Sequence, residues 1–176
     1  MRATRAEDLL LAFYTGEGRD VQGRTHAQIL AWSDSALEAV HDYIQWLFPL
    51  PEPSGSNPLA PVLTPSTIEA LRHSSVAHGR LRASLVRMLG FYGFTLDPKG
   101  IIVPCPSFQR RARNWLTPHN HNHLRLTRML RSLHVLGLEQ ESAALLAALQ
   151  SIYEKQPQGG LQITPETFRY WQHATE

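Results

Sequence analysis

Apolar residues recur every three or four positions along most of the chain, the period of helices that bury one face. Leu9, Leu10 and Phe13 predict a first helix over residues 4–14, closed by Gly16 and Gly18. A short helical turn is expected over 25–32. The strongest early element is a single helix over 34–48 with Asp34 as its N-cap. On it Leu37, Val40, Ile44 and Leu47 share one face, Asp42 and Trp46 the opposite one, and His41 and Gln45 lie between. A helix so rich in large apolar side chains must be covered on a second side as well, and its polar groups then need partners.

Five prolines between Pro49 and Pro61, with Gly55, Ser54, Ser56 and Asn57, forbid regular structure over 49–63 and predict a long loop pinned by Leu59, Val62 and Leu63. Thr64-Pro65 then reads as an N-cap followed by proline in the first turn, opening a helix with Ile68 and Leu71 that ends near Ser74 or Ser75. The next helix carries Leu81, Leu85, Met88, Leu89 and Tyr92 and is ended by Gly93. Gly90 inside it predicts a close approach by another backbone or ring. Residues 94–106 read as loop with a short extended piece at 101–103, and residues 107–115 as a short helix. From Asn120 or Asn122 to Leu136 a helix points Leu126, Met129, Leu130 and Leu133 inward, with Arg125, Arg128 and Arg131 on a flank and Gly137 past its end. An Ala- and Leu-rich partner helix runs over 138–153. A Gly159-Gly160 turn and the start at Thr164-Pro165 lead to a last helix with Phe168, Tyr170 and Trp171. The expectation is an all-α single domain over 1–176 with roughly six to eight helices, the 34–48 helix lying against the 122–136 and 138–153 pair.

At 176 residues, 43% hydrophobic and 18% charged, the chain is long enough for one sizeable core. The lone Cys105 excludes an internal disulfide and a multi-thiolate metal site. The first residues place charges ahead of an apolar stretch, but acids at Glu7 and Asp8 make it an amphipathic helix and not a signal peptide. No stretch reaches the ~18 apolar residues of a membrane span. A soluble, cytoplasmic protein is expected.

The net charge of +2 hides an asymmetry: no acid stands between Asp97 and Glu139, where Arg110, Arg111, Arg113, Arg125, Arg128 and Arg131 lie with four histidines. The basic stretch either faces an anion or is neutralised by the acidic front half, and so small a net charge favours the second. Arg110, Arg111 and Arg113 beside Trp115 could still grip a phosphate backbone and stack a base. His119 to His123 has metal-like spacing, but no cysteine or carboxylate stands near it and Asn120 or Asn122 explains the cluster as a helix cap, so neither metal nor cofactor is predicted. Cys105 lies between Pro104 and Pro106 without a paired histidine, and no phosphate loop, nucleophile elbow or carboxylate pair occurs.

Several segments together resemble the conserved region of the opioid growth factor receptor family. They are His41-Asp42-Tyr43-Ile44-Gln45-Trp46-Leu47-Phe48-Pro49-Leu50, Glu52-Pro53 with Asn57, Leu63-Thr64, Met88-Leu89-Gly90-Phe91-Tyr92-Gly93, and His121-Asn122 leading into Leu124-Arg125-Leu126-Thr127-Arg128-Met129-Leu130-Arg131-Ser132-Leu133. The family-like region spans about 34–153, with the terminal helices packed on it. The resemblance implies a receptor for methionine enkephalin that acts at or around the nucleus, and this chain is expected to be a short, stand-alone, microbial member. Residues and resemblance together predict a non-catalytic module that binds a peptide or small acidic ligand through His41, Asp42, Gln45, Trp46, Tyr92, His121, Asn122, Arg125 and Arg128. A salt bridge from Arg125 or Arg128 to Asp42 or Glu38 is the structural alternative for the same residues. Nucleic-acid binding through the arginine stretch is the second functional reading, and an enzyme using His41 or His121 the third.

Overall fold

The computed structural model describes residues 6–157 and 162–176, so the expected Gly159-Gly160 turn lies outside the described residues. The described residues form ten helices and one two-stranded sheet: α1 (Ala6–Thr15), α2 (His26–Leu30), α3 (Asp34–Ala39), α4 (Ile44–Leu47), α5 (Pro65–Arg72), α6 (Ser75–Tyr92), β1 (Phe94–Leu96), β2 (Ile102–Pro104), α7 (Phe108–Ala112), α8 (His121–Val135), α9 (Glu139–Glu154) and α10 (Pro165–His173). The protein is therefore mainly helical, as the periodicity predicts. They divide into two compact units, one of residues 1–84 with 135–137 and one of 85–134 with 138–176.

Local sequence explains where most helices begin and end. Thr25 caps α2 in a reciprocal box: its hydroxyl accepts from the Gln28 N–H and the Gln28 side chain accepts from the Thr25 N–H at 2.8 Å. Thr64 and Thr164 cap α5 and α10, each followed by proline, where the missing N–H costs nothing. Asn120 opens α8 by accepting the Asn122 N–H at 2.9 Å. Gly93 and Gly137 end α6 and the α8 turn with φ of 94° and 87°, a region closed to most side chains.

In the first unit, the expected 34–48 helix is two helices. Ser33, not Asp34, caps α3, and Asp34 sits in the first turn, where a carboxylate still suits the helix dipole. The chain leaves helical geometry at Val40 (ψ 137°) and re-enters only at Ile44. The break has a packing cause. Tyr43 turns back to donate its hydroxyl to the Leu37 carbonyl at 3.0 Å, and the consecutive residues Tyr43, Ile44, Gln45, Trp46, Leu47 and Phe48 are all buried. No straight amphipathic helix buries six successive side chains, whereas a single turn between two bends does. Tyr14 of α1 ties this segment down, donating to the Leu47 carbonyl at 2.7 Å. The proline-rich loop is pinned by the Leu63 N–H on the Leu50 carbonyl (2.9 Å) and by buried Leu63, while Leu59 is 70% exposed and does not anchor it.

In the second unit, β1 and β2 form a hairpin where a loop with only a short extended piece is expected. Its turn is built by Asp97, whose carboxylate accepts from the N–H groups of Lys99 and Ile101, with Gly100 at φ 81°. Strand β2 lies against α9, and α9 against α10. The Ser142 hydroxyl of α9 donates to the Leu130 carbonyl of α8 at 2.9 Å. Two expectations fail here. Nothing lies within 4 Å of where a Cβ on Gly90 would stand, so that glycine marks no close approach. Arg125 is not on an open flank: it is 5% exposed, because α8 buries Asn122, Arg125, Met129 and Ser132 as a second stripe beside Leu126, Leu130 and Leu133.

Candidate functional site

The residues predicted to bind a ligand play several structural roles. In the first unit Asp42 is held by Arg24, whose Nη1 lies 2.8 Å from the Asp42 carboxylate. The same guanidinium donates from Nε to Asp20 and lies 5.3 Å over the Trp32 ring. Asp20 is buried and also accepts the N–H groups of Gln22 and Arg24. The ion partner of Asp42 thus comes from the loop before α2. His41 is exposed. Gln45 and Trp46 are core residues, with the Gln45 Oε1 and Trp46 Nε1 atoms buried and unbonded among the described residues. Trp46 is 1% exposed and packs against Phe13 at 5.3 Å between ring centroids, so it offers no face to a ligand.

The structure brings one histidine into this core that sequence reasoning passed over. His26, on the first turn of α2, is 3% exposed, is surrounded by the rings of Phe13 and Tyr14, and bonds Ser84 at 2.8 Å. Burial, aided by the Arg80 charge, lowers its pKa to about 4, so it is neutral at physiological pH. Its adjacency to the Thr25 cap is the only local hint of a buried imidazole.

In the second unit Tyr92, Asn122 and Arg125 do come together. The Asn122 oxygen accepts from the Tyr92 hydroxyl at 3.3 Å and from Arg125 Nη1 at 3.2 Å. All three are buried, so they hold α6 to α8 inside the unit and do not line an opening. His123 donates from Nε2 to the Trp115 carbonyl (2.8 Å), and the indole N–H groups of Trp115 and Trp171 donate to the Tyr92 and His123 carbonyls. His121 is exposed and Arg128 half-buried. Of the nucleic-acid set, Arg110 and Arg113 are exposed and Arg111 bonds Ser107, but Trp115 is fully buried and presents no ring for a base. No group of three metal-ligating side chains occurs among the described residues, and no described helix is long and apolar enough to cross a membrane.

One opening in the second unit is a groove of about 950 Å³ between the β2 strand with its flanking loops and α9. One wall is Ile101, Val103, Pro104, Pro106 and Phe108; the floor is the small-residue face Ala144, Ala147, Ala148 and Ser151 of α9, and Lys155 and Gln156 stand at its end. The spacing of those small residues (i, i+3, i+4, i+7) was present in the sequence, but without the hairpin opposite it reads as ordinary helix packing. Cys105 lies on the same lining. Its thiol is 3.1 Å from the Ser107 hydroxyl, which in turn accepts from Arg111 Nε at 3.0 Å. That hydrogen bond, with the guanidinium charge behind it, lowers the Cys105 pKa.

These features define a mainly helical protein with an apolar groove on its second unit. The family model described as "Opioid growth factor receptor (OGFr) conserved region" matches residues 4–171, and the chain belongs to that family. It is 47% identical to the opioid growth factor receptor of Rattus norvegicus over 119 residues, 65% of this chain and 20% of that protein. It is 39% identical to the Homo sapiens receptor over 142 residues, 77% of this chain and 21% of that protein. Over 104 residues it is 42% identical to opioid growth factor receptor-like protein 1 of Xenopus tropicalis, 58% of this chain and 20% of that protein. The chain thus spans about a fifth of the length of these relatives. No solved structure matches it.

Proposed function

We propose that this chain is a peptide-binding module and that its ligand lies in the groove between β2 and α9. The observation that carries the reading is the groove itself: at about 950 Å³ it falls within the ~300–1,000 Å³ typical of ligand sites. Its apolar wall and small-residue floor suit bulky apolar side chains. The relatives' name, opioid growth factor receptor, supports a peptide as the ligand class. Of the polar residues expected to form the site, Asp42, Tyr92, Asn122 and Arg125 are engaged inside their units, and Gln45 and Trp46 are buried in the core. Titration calorimetry with methionine enkephalin tests the reading. Binding is expected, and Ala147→Trp, which fills the groove from an exposed position on its floor, should weaken it at least tenfold. An unchanged affinity in that variant overturns the groove as the site, and no binding to the wild-type chain overturns the peptide reading.

A further inference from the structure

We infer that the groove reads its peptide by the free C-terminal carboxylate, through Lys155. The inference rests on the groove being the ligand site and adds the chemistry of the ligand's end. Among the described residues lining the groove there is no Asp or Glu, and Lys155 is the only Lys or Arg. Gln156 beside it is committed: its amide accepts the Ile163 N–H and donates to the Ile163 carbonyl at 3.2 Å, so it offers little to a ligand. Glu154, next in sequence, lies outside the lining and accepts from Gln150 at 2.7 Å on the exposed side of α9. An occupant that matches this lining has an apolar body and one negative end, placed where the groove meets Lys155.

The position adds a second constraint. Lys155 is the C-cap of α9, where the unpaired carbonyls of the last turn carry partial negative charge. A carboxylate is disfavoured at such a helix end unless a cation accompanies it. Removing the lysine therefore does more than delete a contact, because it turns the end of the groove against an anion. Preference for a free acid over the corresponding amide should then vanish or reverse.

The test uses two methionine enkephalin preparations, one with the free carboxylate and one C-terminally amidated, titrated into the wild-type chain and into Lys155→Ala, Lys155→Arg and Arg169→Ala. The acid is expected to bind roughly tenfold more tightly than the amide to the wild type, the advantage of a charge-assisted contact. Lys155→Ala should abolish that difference, Lys155→Arg should retain it, and Arg169→Ala, outside the groove, should leave it unchanged. Circular dichroism confirms that each variant is folded. Equal binding of acid and amide, or a preference that survives Lys155→Ala, overturns the role of Lys155 while leaving the peptide reading standing. Failure of both peptides to bind overturns the two together. Decanoate binding more tightly than the peptide acid assigns the groove to a lipid carboxylate and overturns the peptide.

Discussion

His26 Nε2 lies 2.8 Å from the Ser84 hydroxyl, with both side chains buried in the core of the first unit. Ser84 also donates to the Arg80 carbonyl, so the imidazole is held in a neutral, fully packed position. Its folded pKa of about 4 lies below the ordinary histidine value of 6.5, which means the unfolded chain takes up the proton first. Stability from this group is therefore complete above pH 6.5 and is lost as the pH falls toward 4. Urea unfolding should show a loss of about 2–3 kcal/mol between pH 7.5 and 4.5 from this residue. His26→Phe, which keeps a ring in the aromatic shell, should flatten that dependence. His123, also lowered mainly by burial, supplies part of the slope that remains.

Two glycines three residues apart should respond in opposite directions. Gly90 lies inside α6 with open space where a Cβ would be, so Gly90→Ala should raise stability by about 0.5–1 kcal/mol by favouring the helix and restricting the unfolded chain. Gly93 has φ 94°, and a Cβ there would stand 3.0 Å from the Phe108 Cα. Gly93→Ala should cost about 2 kcal/mol or more, since the left-handed backbone is strained and the obstruction is main chain. Thermal melts of the two variants check both signs.

Asn122 is the shared acceptor for Tyr92 and Arg125, so its loss should register as stability and not as affinity. Asn122→Ala should destabilise the chain by roughly 2–3 kcal/mol and Tyr92→Phe by about 1 kcal/mol. The double variant should lose less than the sum, because both changes remove the same bond. Peptide affinity measured below the melting temperature should be unaltered. A large affinity loss with an unchanged melting temperature would return these residues to the binding site.

The Cys105 thiol should react with iodoacetamide at neutral pH faster than a model thiol, because its lowered pKa raises the thiolate fraction. Ser107→Ala removes the hydrogen bond that contributes most to that shift and should slow the reaction several-fold. Bound peptide should protect the cysteine, since it lines the groove. Labelling rates followed by mass spectrometry report all three effects.

The helix boundaries were legible where a local rule sets them. Thr64-Pro65, Thr164-Pro165 and the glycines at 93 and 137 act within four or five residues, and short-range hydrogen bonding suffices to place them. The break at Val40 was not legible, because Leu37, Val40, Ile44 and Leu47 satisfy a helical period while the actual burial runs through six successive residues. A pattern of apolar positions cannot distinguish one long covered helix from two turns joined by a bend.

The candidate site divides in the same way. The sequence alone determined a mainly helical chain, its caps at Thr64 and Thr164, its proline-rich loop and its family, since each rests on neighbouring residues or on strings of them. The tertiary structure decided the partners. It gave Asp42 to Arg24 and Arg125 to Asn122, and it buried Trp46 and Trp115 in the core. It also set the β2 strand opposite the alanines of α9 to open a groove. Those outcomes depend on which surfaces exclude water together, a competition among distant segments that no local spacing records.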